Sequence, residues 1–177
     1  MNDLNILARE LLNKAISLYG AISSEYAFGG VIIRGEKVPR IFFDEKRENV
    51  FVSLTQGIQG DDKRTIFQLA HEVVHLLSPR IVPKTSNLEE GLACHFSNLM
   101  VGEYTGDVHY ATWGLVNTAY YDPFIMVRDL LTEFPECIKE LRTKQPYIGL
   151  INFDTLKNAN LNLTKNQVDF LVSTMNY

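Results

Sequence analysis

The stretch His71-Glu72-Val73-Val74-His75 has the composition and spacing of a metal site built on one helix. At about 100° per residue the two histidines stand about 40° apart, so both imidazoles can reach one ion. Glu72 stands about 100° round from His71, close to a water held by that ion without being a ligand itself. Zinc lowers the pKa of such a water towards about 7, and a carboxylate can then take its proton as a carbonyl is attacked. A coincidental match would bury two histidines in an apolar helix at a desolvation cost with no gain. Glu-assisted attack of a metal-held water on a carbonyl, with one Zn2+ per chain, is the chemistry these residues support.

A catalytic zinc takes three protein ligands and keeps a fourth position for water. Downstream candidates are Glu89, Glu90 and His95. Ser86-Asn87-Leu88-Glu89 fits a capping box, in which Glu89 reaches back to the backbone of Ser86 and is occupied there. Glu90 is then free, and Ala93, Cys94 and Ser97 follow it at i+3, i+4 and i+7 as a stripe of small residues. That stripe lets the helix cross its neighbour closely. Glu90 is the preferred third ligand, Glu89 the alternative; Glu90 as a mere charge at a helix N-terminus is the plain reading.

The elements that must position these groups follow from periodicity. Leu4, Leu7, Leu11, Ala15 and Leu18 mark a helix over 4–19, with Asp3 to cap it and Gly20 to end it. Val31–Ile33, Pro39–Phe43 and Val50–Leu54 are β-rich runs separated by charged turns, read as a short antiparallel sheet. The motif helix starts at Asp61 or Asp62 and runs to Ser78-Pro79, its apolar residues covering most of its circumference. A loop with Pro79 and Pro83 leads to a helix over 87–101. Further helices are expected near 112–121, 123–132, 135–143 and 165–175, the last with a Thr164/Gln167 capping box. The expectation is one α+β domain, 1–177.

Composition narrows the function classes. The 177 residues are enough for one sizeable core and short for two. A formal charge of −4 argues against nucleic acid as the main partner. No apolar run is long enough to span a bilayer, and Asp3, Arg9, Glu10 and Lys14 do not fit a secretory signal. Cys94 and Cys137 are far apart in sequence and read as buried thiols in a cytoplasmic protein.

Two longer patterns resemble gluzincin metallopeptidases and, more narrowly, the ImmA/IrrE-like family. One is Arg64-x-x-Phe67-x-Leu69-Ala70-His71-Glu72-x-x-His75-x-Leu77; the other is Glu90-x-x-Ala93-x-x-Phe96-Ser97-x-Leu99-Met100, opening on Glu90-Gly91-Leu92-Ala93. They cover 25 of the 177 residues. Leu92, Cys94 and Val101 stand where the family commonly has glutamate, asparagine and proline, and the step from His75 to Glu90 is short. The resemblance implies a small zincin-like fold, a short sheet over a metal-bearing helix with additional C-terminal helices. It implies His71, His75 and Glu90 as zinc ligands and Glu72 as the base. It also implies an endopeptidase acting on a specific protein, such as a transcriptional repressor.

In such a fold an edge strand holds the substrate backbone, and Val50–Thr55 is the expected edge, with core sheet as the alternative. An oxyanion donor is also needed; His109, Tyr110, Tyr120 and Tyr121 are candidates, Tyr104 a more distant one, and Trp113 reads as core. A toxin or effector protease is a second reading. The third, a zinc-stabilised protein-binding module without catalysis, sits poorly with Glu72, since metal binding alone needs no base.

Overall fold

The computed structural model describes residues 3–23, 26–46, 48–80 and 85–175. Pro83 of the expected loop and Arg47 of the expected charged turn lie outside them. The fold is α+β. Helix α1 (Leu4–Tyr19) precedes strands β1 (Ala27–Arg34), β2 (Arg40–Phe43) and β3 (Asn49–Thr55). Helices α2 (Asp62–Leu76), α3 (Asn87–Thr105), α4 (Tyr110–Gly114), α5 (Tyr121–Glu133), α6 (Cys137–Lys144), α7 (Phe153–Lys157) and α8 (Lys165–Val172) follow. Among the described residues no helix is long and apolar enough to cross a membrane.

The sheet corrects two expectations. Its order is β1-β3-β2, with β3 parallel to β1 and antiparallel to β2, so it is mixed rather than antiparallel. Strand β3 is central, and β2 is the edge next to the motif helix. Val50, Val52 and Leu54 are almost fully buried, as a strand paired on both sides requires. The sequence held a cue: Pro39 immediately precedes β2, and proline is confined to edge strands and strand starts. Gln68 ties α2 to the sheet, its amide donating to the Thr55 hydroxyl at 3.0 Å and its carbonyl accepting from the Thr55 backbone at 3.2 Å.

Helix α2 is capped by Asp61, whose carboxylate accepts from the Arg64 amide, and it is buried along most of its length. It packs on α1, on β3 and most extensively on α3. The small face of α3 permits the close crossing: Ala93, Cys94 and Ser97 are all at most 1% exposed. On another side of α3, a side chain at Gly91 would collide with the Pro123 carbonyl of α5. The N-terminus of α3 is also pinned by the end of the chain. The backbone of Asn87 donates to Ser173, Met175 donates to Thr85, and the Asn87 side chain donates to the Phe170 carbonyl at 2.9 Å.

The expected helix near 112–121 is replaced by the short α4 and a turn, with α5 beginning at Tyr121. Asn117 has φ 64° there, a left-handed conformation that interrupts a helix. Trp113, expected in the core, is 77% exposed. Cys94 and Cys137 are buried free thiols, as expected. The Thr164/Gln167 capping box is present. Helix α7, capped by Asn152, was not anticipated.

Arg142 on α6 is 6% exposed and serves as a shared cap for two helix ends. Its guanidinium donates to the carbonyls of Tyr19, Gly20 and Ala21 after α1, to Leu77 after α2 and to Pro146. A cation there satisfies C-terminal carbonyls that the helices cannot bond themselves. Arg142→Met should therefore lower unfolding stability by about 3 kcal/mol, because several buried carbonyls lose their donor. Urea denaturation checks this; a loss below about 1 kcal/mol would show that water replaces the guanidinium.

Candidate metal centre and cleft

The five-residue motif occupies the C-terminal part of α2, which aims His71, Glu72 and His75 into a cleft of about 860 Å³. Its other walls are β2 and the residues before it (Val38 to Ile41), the N-terminal turn of α3, and α4 with Tyr120. Helix α3 brings Glu90 to the two imidazoles. Glu90 Oε2 lies 3.1 Å from His71 Nε2, and Oε1 lies 3.8 Å from His75 Nε2. The Thr85 hydroxyl donates to Oε1.

Ligand atoms of His71, His75 and Glu90 lie within 4.8 Å of one another, and all three residues are buried. Two donors bound at about 2.0–2.1 Å to a tetrahedral ion would stand about 3.3 Å apart, so the observed spacing suits a single small cation. The donor set, two imidazoles and one carboxylate, also suits a divalent transition metal. Among the described residues no further His, Cys, Asp or Glu joins this group. A cation here would have three protein donors and an open side facing the cleft.

The outer contacts fix which nitrogens face the centre. His75 Nδ1 is 2.8 Å from Glu89 Oε1, and His71 Nδ1 is 3.8 Å from Cys94 Sγ. Both Nε2 atoms are thereby turned inward, the orientation a ligating histidine takes when its other nitrogen is engaged. Here the expectation for Glu89 is corrected. Ser86 does accept from the Glu89 amide at 3.2 Å, but the Glu89 carboxylate goes to His75 rather than back to Ser86. Glu89 stands outside the three-donor group and holds the outer nitrogen of His75.

Burial pulls both imidazoles down, but their neighbours outweigh it. His71 is raised well above its ordinary value by Cys94 and Glu90, and His75 is raised to about 9 by Glu89, Glu90 and Glu72. Burial would raise Glu90, yet the two imidazoles and Thr85 hold it well below the usual carboxylate range. Ligating imidazole must be neutral, so a cation entering at neutral pH displaces protons from this cluster. Glu72, 3% exposed and outside the donor group, is raised by burial, with the imidazoles and the Ile41 backbone amide opposing.

The remaining candidates separate by position. Tyr110 and Tyr120 line the cleft, and the Tyr120 ring stands edge-on to His71 at 6.0 Å. Tyr121 faces a different groove, between α5 and α8. His109 is at the start of α4 and does not line the cleft, and Tyr104 lies over Lys14 with its hydroxyl towards Glu10. His95 points away towards α5; burial and the charge of Arg128 lower it to about 4. Sequence reasoning missed Glu89 and Cys94 as supports of the imidazoles, and no spacing rule would have paired them across two helices.

The two supports differ in strength, since a carboxylate accepts from an imidazole far better than a thiol at 3.8 Å does. Glu89→Gln should weaken divalent-cation affinity by about 10- to 100-fold, and Cys94→Ala by less than about tenfold. Competition titration with a chelating dye measures both; equal losses would contradict the asymmetry.

Comparison with family models, with curated proteins and with solved structures finds no match for this chain.

Proposed function

We propose that the protein is a zinc-dependent endopeptidase of the gluzincin type, with His71, His75 and Glu90 as metal ligands and Glu72 as general base. The observation that carries this reading is the position of Glu72. It shares the cleft with the three-donor cluster, lies one residue from His71, and is not a member of the cluster. A protein that only stored or was stabilised by a metal would have no use for a buried, uncoordinated carboxylate at that point.

Bound zinc would polarise the substrate carbonyl and make water acidic enough to attack it. Glu72 accepts the proton of that water. Burial raises its pKa above the ordinary carboxylate value, which suits a group that takes up a proton and passes it to the departing amine. Tyr120, beside His71 and lining the cleft, is the side chain best situated to stabilise the oxyanion. Strand β2 has one side paired to β3, and its other side borders the cleft. An extended substrate would add along that side as a further strand, next to the Ile41 amide that faces Glu72, which orients its backbone across the cluster. The lack of a fourth side-chain donor among the described residues favours catalysis over a closed, purely structural metal site.

A quenched-fluorescent, sequence-degenerate peptide mixture tests this. Zinc-loaded wild type should hydrolyse it, and chelation should abolish the activity. Glu72→Gln should lower kcat at least about 10²-fold with zinc content unchanged. Tyr120→Phe should lower it by about 10²–10³. Activity that survives Glu72→Gln, or a zinc-loaded wild type that cuts nothing, would contradict the proposal.

A further inference from the structure

The arginines of the described structure fall into two groups. Arg9 lies over the Phe28 ring, Arg34 over Phe42, Arg40 pairs with Glu36, Arg128 with Asp129, and Arg142 is engaged by carbonyls. Arg64 and Arg80 are the remaining described arginines. Both line the cleft, and among the described residues neither guanidinium has an ion pair or hydrogen bond.

They are not equivalent. Arg80 and the Glu89 carboxylate crowd the same point above Gly149, where an added side chain would collide with both. A negative charge therefore already stands near Arg80. Arg64 has none within ion-pairing reach; the carboxylate of Asp61 on the preceding turn is spent on the helix N-terminus. Its guanidinium instead lies against Gly57, in the turn that follows β3. A Cβ on Gly57 would sit 3.0, 3.2 and 3.4 Å from Arg64 Nη1, Cζ and Nη2. Near-equal distances to three atoms of a plane mean that its flat face rests on the glycine. That posture leaves its N–H edge open, the arrangement suited to forking an oxyanion.

We propose that Arg64 is a specificity site that receives the carboxylate of an aspartate or glutamate side chain in the peptide bound along this cleft. Seven residues of α2 separate Arg64 from His71, a rise of about 10 Å, which an extended chain covers in about three residues. The acidic residue therefore belongs about three positions from the bond held over the His71–His75–Glu90 cluster. One guanidinium, with Asp61 and Asp62 on the preceding turn, suits a singly charged carboxylate better than a doubly charged phosphate. The inference rests on the peptidase reading for the presence of a peptide in the cleft, and its test separates the two.

The probe is a decapeptide library in which each position in turn is Glu, Gln, Lys or Leu and the others are degenerate. Zinc-loaded Glu72→Gln protein is used for retention, read by mass spectrometry, and zinc-loaded wild type for cleavage. At one position Glu should be retained roughly five- to tenfold over Gln at low salt, and the preference should shrink at higher ionic strength. Arg64→Gln should abolish it, and Gly57→Val, which displaces the guanidinium without removing it, should reduce it. No preference for Glu, a preference that survives Arg64→Gln, or no retained peptide would each overturn the inference. Cleavage without an acidic preference would leave the peptidase and remove this specificity site. An acidic preference without cleavage would keep the site and remove the peptidase.

Discussion

The close crossing of α2 and α3 is the constraint on which the rest of the molecule depends. Two imidazoles one helical turn apart need a third donor, and only a neighbouring helix at short range can supply it. The small face of Ala93, Cys94 and Ser97 sets that range, and Glu90 heads it at the point where the helices meet. His71, Glu72, His75, Glu89 and Glu90 are consequently gathered in a mostly buried volume. Their mutual hydrogen bonds offset part of a desolvation cost that would otherwise be large. The neighbouring carboxylates raise His75, and the two imidazoles hold Glu90 well below the usual carboxylate range.

Several elements serve that crossing from a distance. The chain end, through Ser173 and Met175, anchors Thr85 and Asn87. That fixes the start of α3 where Glu89 and Glu90 stand. The Thr85 hydroxyl reaches Glu90 itself. Arg142 holds the C-terminal end of α2, just past His75, through the Leu77 carbonyl, so both helices of the centre are secured at one terminus by groups far away in sequence. The sheet contributes the other wall. Because β3 is inserted between β1 and β2, the short strand β2 is left as the free edge beside Glu72.

What could be read from sequence was what depends on local spacing. Histidines at i and i+4 share a helix face whatever surrounds them, and the caps at Asp3, Asp61, Ser86 and Thr164 form within a single turn. Glu90 was legible too, though partly through a wrong premise, since Glu89 is held by His75 and not by Ser86. Strand order was illegible because a strand's own alternation says which residues are buried, not which neighbours it pairs with; only Pro39 marked β2 as the edge. Trp113 misled because a large aromatic on a short segment reads as core, while α4 is too short to bury it. The contacts of Cys94 with His71 and of Arg64 with Gly57 arise between elements, and no periodicity encodes them.

Helices α2 and α3 together present one three-donor group, with Glu90 inside it and Glu89 behind it. Elemental analysis of purified wild type, Glu90→Gln and Glu89→Gln after zinc loading and gel filtration addresses this most directly. About one zinc per chain is expected in the wild type, a near-complete loss in Glu90→Gln, and partial retention in Glu89→Gln. A folded wild type that takes up no zinc, or a Glu90→Gln variant that retains it in full, would contradict the account.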